Sequence, residues 1–158
     1  MRYQDQVIRA TSKSVEDLFR NARAMPADKI EWKPLDKGRS VLDQLQECAQ
    51  APSWYVSMLE SRKPPVFDED TRKKAGEERR AWKTIDECEK VCKENSERLA
   101  ELIDTFPDED LEIMITLPFG EGMIVSMADV MMFHYRNTVY HIGQLSYIQT
   151  LYGDMEMH

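Results

Sequence analysis

Two of the chain's three histidines, His134 and His141, fall in its last helix-forming stretch, Ser126 to Tyr152, which reads SMADVMMFHYRNTVYHIGQLSYIQTLY. At about 100° per residue, Met127, Val130, His134, Asn137, Thr138, His141, Leu145 and Ile148 share one face. The polar members of that set therefore point inward among apolar neighbours. A buried imidazole or amide without a partner costs about 1–3 kcal/mol. A stripe that carries several such groups is a candidate binding site for a metal or a substrate, or else a set of polar side chains that satisfy one another. His134 and His141 cannot share one ion. Seven residues of helix rise by about 10.5 Å, whereas zinc holds each nitrogen at about 2.1 Å. His134 reads instead as a buried histidine near a bundle end or at a subunit face.

The elements that must position this face are legible from hydrophobic period. Residues 3–24 form a first helical pattern with Val7, Thr11, Ser14 or Val15, Leu18 and Ala22 inward, ended by Pro26. In the connector 26–39, Ile30 and Trp32 fold back on the core. Ser40-x-x-Asp43 is a capping box that opens a second helix. Its stripe is Leu42, Leu45, Cys48 or Ala49, Val56 and Leu59. Pro52 lies inside this helix and removes the bond to the Cys48 carbonyl, beside the acidic Glu47. Residues 62–81 carry two prolines and many charges and read mainly as an exposed crossing loop, with room for some helix. Thr84-x-x-Glu87 caps a third helix that runs to about Phe106.

Beyond Phe106 the period changes. Leu111, Ile113, Ile115 and Leu117 alternate with polar or flexible residues, and PFGEG precedes Met123-Ile124-Val125, which predicts a short hairpin. Ser126-x-x-Asp129 caps the fourth helix, and Gly153 is placed to end it. Gly143, in mid-helix, predicts close approach of a neighbouring helix, with Gln144 bonded to it. Four long amphipathic helices with long crossings give an all-α four-helix bundle with a short β-hairpin before the last helix, one domain over residues 1–158.

Composition limits the partners. The net charge of −8 argues against a nucleic-acid backbone. No run reaches the roughly 18 apolar residues of a membrane span, and the N-terminal residues have no signal-peptide core. Three cysteines in helix interiors, Cys48, Cys88 and Cys92, suit free thiols in a reducing cytoplasm. They read as small buried hydrophobes, and the methionines around the last helix as adaptable packing.

The stretch His141-Ile142-Gly143-Gln144-Leu145, followed by Tyr147 and the ending Leu151-Tyr152-Gly153-Asp154, resembles the final helix of the DinB-like (YfiT-like) family. The likeness extends to the capped second helix beginning Ser40-Val41-Leu42-Asp43-Gln44-Leu45 and to the strand-like residues ahead of the last helix. It implies a metal-binding bundle, frequently a homodimer, in which three histidines hold a divalent ion. One of the three lies on the second helix and two lie four apart on the fourth. Relatives include thiol transferases that use a small thiol and a thiol-dependent isomerase.

Carried onto this chain, the implied metal set is Glu47, Asn137 and His141, with Glu47 and His141 as the implied catalytic pair. A carboxylate is a sound ligand, but a neutral amide oxygen is a weak one for zinc. Binding is then weakened, moved to a harder metal, or lost. In one reading an ion (zinc, nickel or manganese) lowers the pKa of a small thiol or of water. The chain would then be a transferase or hydrolase, with Glu47 as ligand or general base. In the alternative it is a metal-free small-molecule-binding or stress-related bundle. A third reading makes it an oligomeric structural protein with the last helix at a two-fold interface.

Overall fold

The computed structural model describes residues 1–35 and 37–158. Its helices are α1 (Tyr3–Arg23), α2 (Val41–Ser61), α3 (Glu69–Ala81), α4 (Ile85–Asp104) and α5 (Met127–Leu151). Strands β1 (Met114–Leu117) and β2 (Met123–Ser126) lie between α4 and α5. The four-helix bundle is therefore α1, α2, α4 and α5. Each predicted cap is present: Ser40, Thr84 and Ser126 exchange capping-box bonds with Asp43, Glu87 and Asp129. Such caps satisfy amide donors that a helix start leaves without partners.

Around the bundle the order is α1, α4, α2, α5. Cross-links give the directions. The Tyr3 hydroxyl donates to the Ala128 carbonyl and the Gln149 amide to that of Asn21, so α1 and α5 run parallel. The Asn95 amide reaches the Ala49 carbonyl and Arg98 reaches Glu60, so α2 and α4 are also parallel. Two parallel neighbours need a return connection as long as the helices themselves. That connection is α3, thirteen residues or about 20 Å of rise, packed back along α2. The reading of 62–81 as a crossing loop is corrected here. Asp68 caps α3 by accepting from the Thr71 amide, but Ala75 is the helix's one buried residue, so no apolar stripe announced it.

α2 continues through Pro52. The carbonyl that the proline deprives of an intrahelical donor, Cys48 O, accepts from Cys92 Sγ at 3.4 Å. One residue on, Ala49 O accepts from Asn95 Nδ2 at 2.8 Å. α4 thus repairs the gap in α2. The hairpin pairs Met114 with Ser126 through Leu117 with Met123 and buries Ile115, Leu117 and Val125. Gly122 in its turn has φ of +102°, a conformation few side chains tolerate. The hairpin delivers the chain into α5, whose Met127 and Ala128 amides bond the Ile113 and Leu111 carbonyls.

The interior is layered. One apolar cluster gathers Leu18, Phe19, Leu45, Cys48, Cys92 and Leu145, and another gathers Val7, Leu59, Leu99, Ile103, Val130 and Met131. Between them along the helices lies a polar belt. Ser14 and Thr138 share a hydrogen bond of 2.6 Å, and Ser96 Oγ lies 2.8 Å from His134 Nε2. Ile30 and Trp32 pack against the first cluster, as their apolar character predicts.

Candidate functional site

The inward face of α5 is as its period requires. Met127, Val130, His134, Thr138, His141, Leu145 and Ile148 are buried and Asn137 is half-buried. The two histidines diverge: His134 looks across the bundle to α4, and His141 looks to the antiparallel α2. There, one turn inside the Ser40 cap, Gln44 and Glu47 face it.

His141 is 1 % exposed. Its Nδ1 lies 3.1 Å from Gln44 Oε1 and 2.8 Å from Gln144 Oε1. Both partners are acceptors, so Nδ1 carries the proton and donates to them, which fixes the tautomer. Nε2 then faces Glu47 Oε1 at 3.3 Å. Protonation of Nε2 turns this contact into a charged hydrogen bond. The other carboxylate oxygen, Glu47 Oε2, is held by Arg39 Nη1 at 2.7 Å, with Arg79 Nη1 at 3.9 Å. With Nε2 protonated, its hydrogen bond, helped by the Arg39 charge and opposed by desolvation, lowers the Glu47 carboxyl to about 2. Glu47 is an ionised, compensated carboxylate at every physiological pH.

Asn137 sits one turn before His141. Its amide nitrogen is directed at Cys48 Sγ, 3.7 Å away. Glu47 and His141 therefore meet, and Asn137 borders the same space without touching either. The donor set does not fit a divalent ion. It offers one imidazole nitrogen, one carboxylate already in an ion pair, and a neutral amide turned toward a thiol. Among the described residues no three His, Cys, Asp or Glu side chains could together hold an ion. The tautomer of His141 suits a metal ligand; the rest of the set does not complete one.

Glu47 and Asn137 lie at the edge of a cleft of about 880 Å³ between α2, α3, the hairpin and α5. Its wall is aromatic. Trp54 and Phe67 have ring centroids 5.2 Å apart, Phe67 and Phe119 5.4 Å, and Tyr55 and Phe133 5.7 Å. Tyr140, edge-on to the His141 ring, also lines the cleft. Tyr147 lines a separate, smaller groove with Arg39 and Gln144.

Two expectations for α5 are corrected. Gly143 is exposed, and a Cβ there would meet nothing within 4 Å, so it admits no helix of this chain. Gln144 bonds His141 on its own helix rather than a neighbour. The residues that sequence reasoning missed are Arg39 and Arg79. Arg39 stands just before the Ser40 cap, where only its adjacency to α2 could have signalled it. Arg79 lies in the segment read as a loop. The cysteines are free and buried: burial pushes the Cys88 and Cys92 thiols up to about 12 and raises Cys48 as well, which disfavours a thiolate at any of them. Met127 and Met131 are core residues.

The profile of the DinB family matches residues 2–157. The structure is similar to that of YfiT from Bacillus subtilis, described as a probable metal-dependent hydrolase with an unusual four-helix bundle topology. The TM-score is 0.75 at 15 % sequence identity, over 95 % of this chain and 87 % of that one. At that identity the likeness shows a shared fold. No curated protein matches the chain. No helix among the described residues is long and apolar enough to cross a membrane.

Proposed function

The chain belongs to the DinB family, and from that premise we propose that it binds a small molecule without a divalent ion, Arg39 supplying the positive charge that an ion would bring to the site. The observation that carries this reading is the Arg39–Glu47 ion pair of 2.7 Å beside the fixed His141 imidazole. A guanidinium hydrogen-bonded to the carboxylate neutralises it and so weakens its attraction for any other cation. The aromatic cleft supplies the binding volume, since pockets of roughly 300–1,000 Å³ with apolar walls and few polar groups suit small organic ligands.

The metal-dependent transferase or hydrolase, with zinc, nickel or manganese and a small thiol, is the competing reading. It needs a third strong donor, which this arrangement does not supply. Equilibrium dialysis of untagged protein against each of the three ions separates the two. The expected result is no specific occupancy. One ion per chain, lost in His141→Ala, would restore the metal-dependent reading.

We also infer a homodimer through the outer face of α5. Tyr140 and Tyr147 are 63 % and 66 % exposed there and flank the outward Gly143, an arrangement that favours aromatic contact with a second copy. Sedimentation velocity of the wild type and of Tyr147→Lys should show a dimer and a monomer; a monomeric wild type removes this inference. The three buried, unpaired cysteines fit a reducing compartment such as the cytoplasm.

A further inference from the structure

The charges around the cleft identify a class of ligand for it. This step rests on the reading of the cleft as a small-molecule site. Of the charged residues that line it, Glu47 is the one acid, and Arg39 already balances it from outside. Arg79 and Arg136 remain. The Arg79 Nε atom is buried and has no hydrogen-bond partner, and the nearest carboxylate oxygen to its guanidinium, Glu47 Oε2, is 3.9 Å from Nη1. Arg136 projects from α5 one turn before Tyr140 and forms no salt bridge among the described residues. On a chain of net charge −8, two guanidiniums with free donors at one aromatic cleft form a local positive site.

The Arg79 side chain is 35 % exposed overall, but its Nε–H lacks an acceptor, and an acceptor supplied by a ligand would satisfy it. Planar guanidiniums pair with planar or tetrahedral oxyanions through paired N–H donors. The Trp54, Phe67 and Phe119 rings offer faces and edges to a flat apolar body. We propose that the cleft takes an organic anion: an aromatic or similarly flat body on the aromatic wall, with its carboxylate, sulfonate or phosphate on Arg79 and Arg136.

Two fluorescent probes of nearly the same shape test this: anilinonaphthalene sulfonate, which is anionic, and N-phenylnaphthylamine, which lacks the sulfonate. Titration of the wild type should show the anion bound about tenfold tighter or more, the equivalent of one charge-assisted hydrogen bond. In Arg136→Gln that advantage should shrink, and in Arg79→Gln/Arg136→Gln it should vanish while the affinity for the neutral probe holds. Equal affinities in the wild type, or an anion preference that survives in the double variant, overturn the anion assignment and leave the cleft as a neutral-ligand site. If neither probe binds, the small-molecule reading of the cleft falls with it.

Discussion

Between pH 6.5 and pH 4.5 the wild-type chain is expected to lose about 2 kcal/mol of unfolding free energy through His134, a loss that His134→Leu does not suffer. His134 is 0 % exposed, Ser96 bonds its Nε2, and its Nδ1 has no partner. Desolvation holds its pKa at about 3, against 6.5 in the unfolded chain. The folded state therefore refuses a proton that the unfolded state accepts. Stability is fully present above pH 6.5 and drains away as pH falls toward 3. The neighbouring ring of Tyr55, 6.2 Å away, is neutral throughout this window and offers no counter-charge. Below pH 4.5 a second loss begins as the unfolded state protonates Glu47 ahead of the folded one, whose pKa is about 2. Urea titrations at half-unit pH steps measure both phases. Parallel curves for the wild type and His134→Leu from pH 6.5 to 4.5 would mean that His134 is solvated or charged in the fold.

The second large effect concerns Arg39. In Arg39→Glu the cation beside Glu47 disappears and a shorter carboxylate takes its place, leaving room where the guanidinium sat 2.7 Å from Glu47 Oε2. Two carboxylates and the oriented His141 Nε2 then face one space. Without metal the variant should be less stable by about 1 kcal/mol, a modest figure because Arg39 is 42 % exposed. Zinc at roughly a hundred times its dissociation constant should return about 3 kcal/mol, read as a rise of several degrees in Tm. The wild type should not respond. Equal zinc responses in the two proteins would show that Arg39 does not stand in for the ion.

How much of this was readable in advance depends on where the information lay. The bundle was, because α1, α2, α4 and α5 each carry an apolar stripe at helical period and the last three an explicit cap. The inward placement of His134 and His141 follows from the same period. α3 was not: it buries Ala75 alone and is held through Gln50, whose amide reaches the Ala75 carbonyl and Glu78. Its existence follows from α2 and α4 being parallel, which is a tertiary fact. For the same reason Arg79 was invisible as a site residue. Family likeness located Glu47 and His141, and they do meet. It could not disclose that Arg39 would occupy the far side of the carboxylate, since that contact joins a connector to a helix across eight residues. Gly143 misled because a glycine in mid-helix leaves the same mark in the sequence whether it faces a neighbour or solvent.

The proposed substitution of a guanidinium for a metal ion can be tested directly in crystals grown or soaked with zinc and recorded at the zinc absorption edge. The account predicts the Arg39 side chain hydrogen-bonded to Glu47 and no anomalous density near His141 Nε2. A peak about 2.0–2.3 Å from that nitrogen, with Glu47 turned onto it and Arg39 displaced, would contradict it.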